Sequence, residues 1–139
     1  MAQEIELTGK FVIAYDTICT GWNCMMEGEE GEDDYKPTLF DSEDEAFIEI
    51  FDSNHAMLES HERDGMLKEY NEGVTPKMIK EMGDILESHD VSKMRKFMKN
   101  HPECDDSGEW VEPAETFIMN RKAFLTEEGI IITGTKITI

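Results

Sequence analysis

Three helix-start signals fall in the middle of this chain, and runs of β-forming residues lie on either side of them. Ser42-Glu43-Asp44-Glu45 has capping-box spacing, with Ser42 as N-cap and Glu45 placed to reach back. Acids in a first helical turn also suit the positive end of the helix. Phe47, Ile50, Phe51 and Leu58 then follow one helical stripe. This spacing predicts a helix from about Glu43 to His61, broken at Gly65, with Glu45, Glu49, Asp52 and Glu59 outward. Thr75-Pro76 is the second signal, Thr at N-cap and Pro at the first helical position. Met78, Ile79, Met82, Ile85 and Leu86 form its stripe, which survives a cost of about 1 kcal/mol for Gly83 relative to Ala. Asp90 caps a third helix with Val91, Met94, Phe97 and Met98 inward, ended by Pro102. Lys93, Arg95, Lys96 and Lys99 lie outward or late in it, where cations suit the negative helix end.

The flanks alternate with the period of strands. Residues 3–7 alternate polar and apolar, and Phe11 to Cys19 is rich in β-formers. The run Glu27 to Asp34 (EGEEGEDD) reads as a mobile acidic connection, with Pro37 to Phe40 as the return strand. After an acidic loop around Trp110, Thr116 to Thr126 and Ile130 to Ile139 predict a hairpin joined by Glu127-Glu128-Gly129. The expected order is β-β-α-α-α-β-β. The fold class is α+β: an antiparallel sheet of about four or five strands with two or three helices on one face.

At 139 residues the chain is expected to be a single domain, 1–139, large enough for a real core. No run of about 18 apolar residues suits a membrane span, and the start lacks the apolar core of a secretory signal. Three cysteines make an odd count, which favours reduced thiols and a cytoplasmic location over a disulfide framework.

Charge is the main pointer to function. The formal net charge is −19. Residues 1–76 hold 20 Asp/Glu against 4 Lys/Arg, while residues 77–99 hold 4 against 6. A one-sided field of this kind repels nucleic acid and anionic membrane and attracts basic protein surfaces. Solubility alone is the plainer explanation of such an excess.

Candidate chemistry is sparse. Cys19, Cys24, His101 and Cys104 are zinc-type ligands, but their spacing lacks the usual tight pair. Run 27–34 lacks the ligand pattern of a calcium loop. No nucleophile elbow, phosphate-cradling loop or dinucleotide fingerprint is present, so a binding protein without cofactor is expected before an enzyme. The methionines on the helical stripes read as core. Trp22, between strand residues and the acidic run, reads as either a core-closing residue or an apolar anchor within a charged rim.

The segments Phe11 to Tyr15, Thr20 to Asn23, Lys36 to Phe40 and Ser42 to Ala46 together resemble small uncharacterised acidic bacteriophage proteins. The resemblance covers residues 11–46 and implies a phage or mobile-element origin, a class that includes anti-restriction and anti-CRISPR inhibitors and DNA mimics. The expected function is non-catalytic. The protein would block a basic surface of a nucleic-acid-handling protein, with no direct binding of nucleic acid or membrane. The residues expected to carry it are Glu27, Glu29, Glu30, Glu32, Asp33 and Asp34 in the loop, Asp41, Glu43, Asp44, Glu45, Glu49 and Asp52 at the helix, and Trp22. A metal protein built on the Cys/His set and a self-associating assembly protein, for example a homodimer, are the alternatives.

Overall fold

The computed structural model describes residues 3–17, 21–32, 34–120, 125 and 129–139, with the backbone alone at 17, 21 and 22. Two compact units emerge, Met1–Ala46 with Glu109–Ile139, and Phe47–Gly108. Each has its own apolar core. The architecture is α+β, as the sequence implies, with the strands divided among three small antiparallel sheets.

The first unit is mostly β. Strand β1 (Glu4–Glu6) pairs with β8 (Lys136–Thr138), which also pairs with β7 (Ile131–Thr133). Strand β2 (Phe11–Thr17) is central in a second sheet, between β3 (Gly21–Cys24) and β6 (Glu109–Pro113). Val12, Ile13 and Ala14 are all buried, so β2 is covered on both faces, as suits a run of β-formers. Strands β4 (Met26–Glu27) and β5 (Lys36–Pro37) form the third pair and bracket the acidic loop. The return strand is shorter than expected, and Phe40 instead bridges to Phe11.

One expectation is overturned. Residues 116–126 have the β-propensity expected of half of a C-terminal hairpin, but helix α5 (Ala114–Asn120) occupies the start of that run. Ala114, Phe117 and Ile118 are buried at helical spacing, and this packing outweighs the β-propensity of Thr116, Phe117 and Ile118. The true hairpin is β7–β8. Gly134, with φ 60°, takes the first central position of its two-residue turn, where a II′ turn requires glycine.

The second unit is helical. Helix α1 (Glu43–Arg63) begins at the last residues of the first unit and continues into this one. It is followed by α2 (Leu67–Tyr70), α3 (Pro76–Ser88) and α4 (Val91–Asn100), then by a 3-10 turn at Pro102–Cys104. Thr75 caps α3 by accepting from Met78 N, and Asp90 caps α4 by accepting from Lys93 N. The core joins Phe51 and Leu58 of α1, Ile79 and Met82 of α3, and Met94 and Phe97 of α4. Phe51 and Phe97 meet edge to face at 6.1 Å. The methionines at 82 and 94 are thus plain core.

Candidate functional site

The acidic loop is built by two turns. Glu32 N donates to Glu29 O at 3.0 Å, and Tyr35 N donates to Glu32 O at 3.2 Å. Gly28 has φ 84°, and a methyl group there would stand 2.5 Å from the carbonyl oxygen of Asp34. Glycine is required at this point by both conformation and space. Glu27, Glu29, Glu30, Glu32 and Asp34 are all exposed. Among the described residues none of them forms an ion pair with Lys or Arg. Asp33 lies outside the described residues, as does the indole of Trp22, whose backbone pairs with Asp16 in the β2–β3 ladder.

The acids at the start of α1 are differently employed. Ser42 Oγ accepts from Glu45 N at 3.1 Å, while the Glu45 carboxylate accepts from Asp41 N at 3.2 Å. The capping box forms, but its return arm reaches one residue further back than the ideal pattern. Asp41 is ion-paired with Lys10. Asp41 and Glu45 therefore have structural partners, and Glu43 and Asp44 are exposed in the first turn. Glu49 is half-buried and Asp52 is exposed further along α1.

A second acidic feature, larger than the sequence suggested, lies within the helical unit. A groove of about 800 Å³ runs between α1 and α3. Asp52, Glu59 and Glu62 line it from α1, and Asp84 and Glu87 from α3, against Lys80 and Arg63. His55 sits in the same groove. Its Nδ1 is 3.8 Å from Glu59 Oε1, and its Nε2 would be 3.2 Å from a methyl group at position 83. Gly83 thus makes room for the His55 ring. The sequence signal for the α1 wall was the outward spacing of Asp52 and Glu59. The α3 wall could not be paired with it without knowing which helices pack together.

No family model, curated protein or solved structure matches this chain. Function must therefore be argued from its own geometry.

The Cys/His set does not converge among the described residues. Cys19 lies outside them. Cys24 is buried in the core of the first unit and Cys104 in that of the second. Burial pushes the Cys24 thiol up to about 12 and the Cys104 thiol up to about 11, with Glu103 and Glu81 adding to the latter. Thiols so disposed are poor metal ligands, since the thiolate is the binding form. His101 Nδ1 lies 3.2 Å from Glu103 Oε1. No group of three or more His, Cys, Asp or Glu fit to hold a metal occurs among the described residues. No helix is long and apolar enough to cross a membrane.

Charge is also unequally divided. Residues 47–108 hold 14 acids against 8 Lys/Arg, a balance of −6, and the rest of the chain holds 18 against 5, a balance of −13. The unit that carries the acidic loop is thus the more negative, and the cations gather on the helices.

Proposed function

We propose that this protein is a non-catalytic inhibitor that covers a basic surface of a nucleic-acid-handling protein, in the manner of a phage counter-defence protein or DNA mimic. The observation that supports this reading best is the β4–β5 loop, where five described carboxylates stand exposed without a cationic partner. Duplex DNA presents one charge per ~1.7 Å of axis, and proteins that bind it do so largely through Lys and Arg on phosphates. A short loop with this density of carboxylates can occupy such Lys/Arg positions. Glu43, Asp44 and Asp52 add negative charge along α1, where i and i+4 side chains stand roughly 5–6 Å apart. Steering by such a field gives fast, salt-sensitive association.

The test is affinity capture from a bacterial lysate with the natural chain and with a variant carrying Gln or Asn at the six loop acids. The expected result is capture of nucleic-acid-handling proteins by the natural chain, release by duplex DNA, and release at about 0.5 M salt, where exposed charge is screened within a few ångströms. The variant should capture none of them. Recovery of the same proteins by both chains, or indifference to salt, refutes the proposal.

A further inference from the structure

One groove of this acidic protein is lined by cations. It lies between α3 and α4 within the helical unit and encloses about 270 Å³. Lys93, Lys96 and Asn100 of α4 line it together with Phe97, His101 and, from α3, Ile85 and Glu81. Lys93 and Lys96 are three residues apart on one helix, so they rise on the same face. Both are exposed, and among the described residues neither has a carboxylate within ion-pair distance. The apolar part of the lining is ordered. Phe97 is buried, and its ring meets that of His101 at 4.6 Å. His101 is itself fixed by Glu103 through Nδ1. A carboxylate only accepts, so Nδ1 carries the hydrogen of that contact.

We propose that this groove is a binding site for a small organic anion with one oxyanion head and a compact apolar body. Three observations select that chemistry. Two unpaired ammonium groups beside an amide supply donors for an oxyanion. Phe97, Ile85 and the His101 ring supply an apolar wall for the body. The volume lies just below the ~300 Å³ at which ordinary ligand pockets begin, which suits a ligand of modest size. Charge then excludes larger anions. At physiological ionic strength fields decay over about 8 Å, so a small head responds mainly to Lys93 and Lys96, whereas a polyanion meets the net negative surface as well. Glu81 on the same lining opposes any anion held there and limits its affinity. The site is separate from the acidic loop, and its fate does not depend on the inhibitor reading.

Amide NMR titration of the full chain tests the site with four probes: benzoate, phenyl phosphate, acetate and benzyl alcohol. Benzoate or phenyl phosphate should give saturable shifts at Lys93, Lys96, Asn100 and His101 with a Kd near or below about 1 mM. Acetate, a head without a body, and benzyl alcohol, a body without a head, should bind far more weakly. Response to benzoate alone assigns a carboxylate ligand, and response to phenyl phosphate alone assigns a phosphate ester. All three substitution sites are exposed, so the variants should keep the fold. Lys93→Gln with Lys96→Gln should weaken binding by about tenfold, since each exposed charge pair is individually modest. Glu81→Gln should strengthen it. Absence of saturable shifts at about 10 mM, equal binding of benzyl alcohol, or unchanged affinity in the double Lys variant overturns the assignment.

Discussion

Asn54 Oδ1 accepts hydrogen bonds from the backbone N–H of Asp106 at 2.7 Å and of Ser107 at 2.8 Å. The asparagine is fully buried on α1, more than fifty residues from the loop it holds. Its amide nitrogen also donates to Asp105 Oδ1 at 3.3 Å. One side chain thus ties three successive residues to the helix. Asn54→Ala should remove about 2 kcal/mol of stability, read as a lower urea midpoint with unchanged slope, because two backbone donors lose their acceptor. Asn54→Asp keeps the acceptor but sets a second carboxylate against Asp105. Its deficit should therefore shrink as pH falls and the pair takes up a proton. A wild-type midpoint for Asn54→Ala would show that water replaces the clamp at no cost.

Gly83 and His55 should be energetically coupled. Glycine inside a helix costs about 1 kcal/mol relative to alanine, so Gly83→Ala would ordinarily stabilise α3. Here the added methyl would stand 3.2 Å from His55 Nε2, closer than comfortable packing allows. The gain should be cancelled in the natural background and recovered in His55→Ala. A double-mutant cycle should give a coupling of roughly 1 kcal/mol, and additivity of the two substitutions would rule the contact out as a constraint.

The contrast between these contacts and the helix starts shows what a sequence can and cannot reveal. Ser42, Thr75 and Asp90 each act on backbone groups within three residues, so their roles were legible from local spacing, and α3 and α4 begin where predicted. Helix α1 runs two residues beyond the expected His61, to Arg63, and Gly65 follows with φ 73°. Helix α5 runs against its local sequence, because Thr116, Phe117 and Ile118 favour strands, while the burial of Phe117 and Ile118 alongside Ala114 fixes the helical state. The acidic loop was legible as composition. The acidic groove between α1 and α3 was not, because Glu62, Asp84 and Glu87 join one lining only after two helices pack. The same holds for Lys93 and Lys96, whose spacing places them outward on α4 but does not show that Ile85 and Glu81 of α3 share their groove.

The two described thiols should be inert in the folded state. A thiol with pKa about 11, that of Cys104, has roughly one molecule in a thousand as thiolate at pH 8, and Cys24 at about 12 has fewer. Both are also fully buried. In a Cys19→Ser background, iodoacetamide at about pH 8 should leave the native mass unchanged and add two labels in urea. Because burial raises both values above the ordinary 9.0, their contribution to stability is complete below that pH. It should be lost as pH rises through 9 toward 11 and 12. Labelling of the native variant would mean that one of the two cores opens readily.

Glu6 provides the opposite sign at the acidic end. It lies in β1 opposite Lys136, and its carboxyl is held down to about 2 by side-chain hydrogen bonds from Thr135 and Thr8. The Thr8 hydroxyl donates at 2.7 Å and its backbone N–H at 3.3 Å. Hydrogen bonds to the charged form favour it, which lowers the pKa from the ordinary 4.5. A depressed carboxyl stabilises the fold above its unfolded value, so this contribution is intact above about 4.5 and disappears as pH falls toward 2. Carboxyl carbon NMR should therefore find Glu6 still ionised at pH 3, where ordinary glutamates are protonated. Thr135→Val should raise its titration midpoint the most, and Thr8→Val should raise it less, since that change keeps the backbone donor. A wild-type midpoint near 4.5 would mean that the Thr8 and Thr135 hydroxyls point to water and that the β1–β8 edge owes nothing to them.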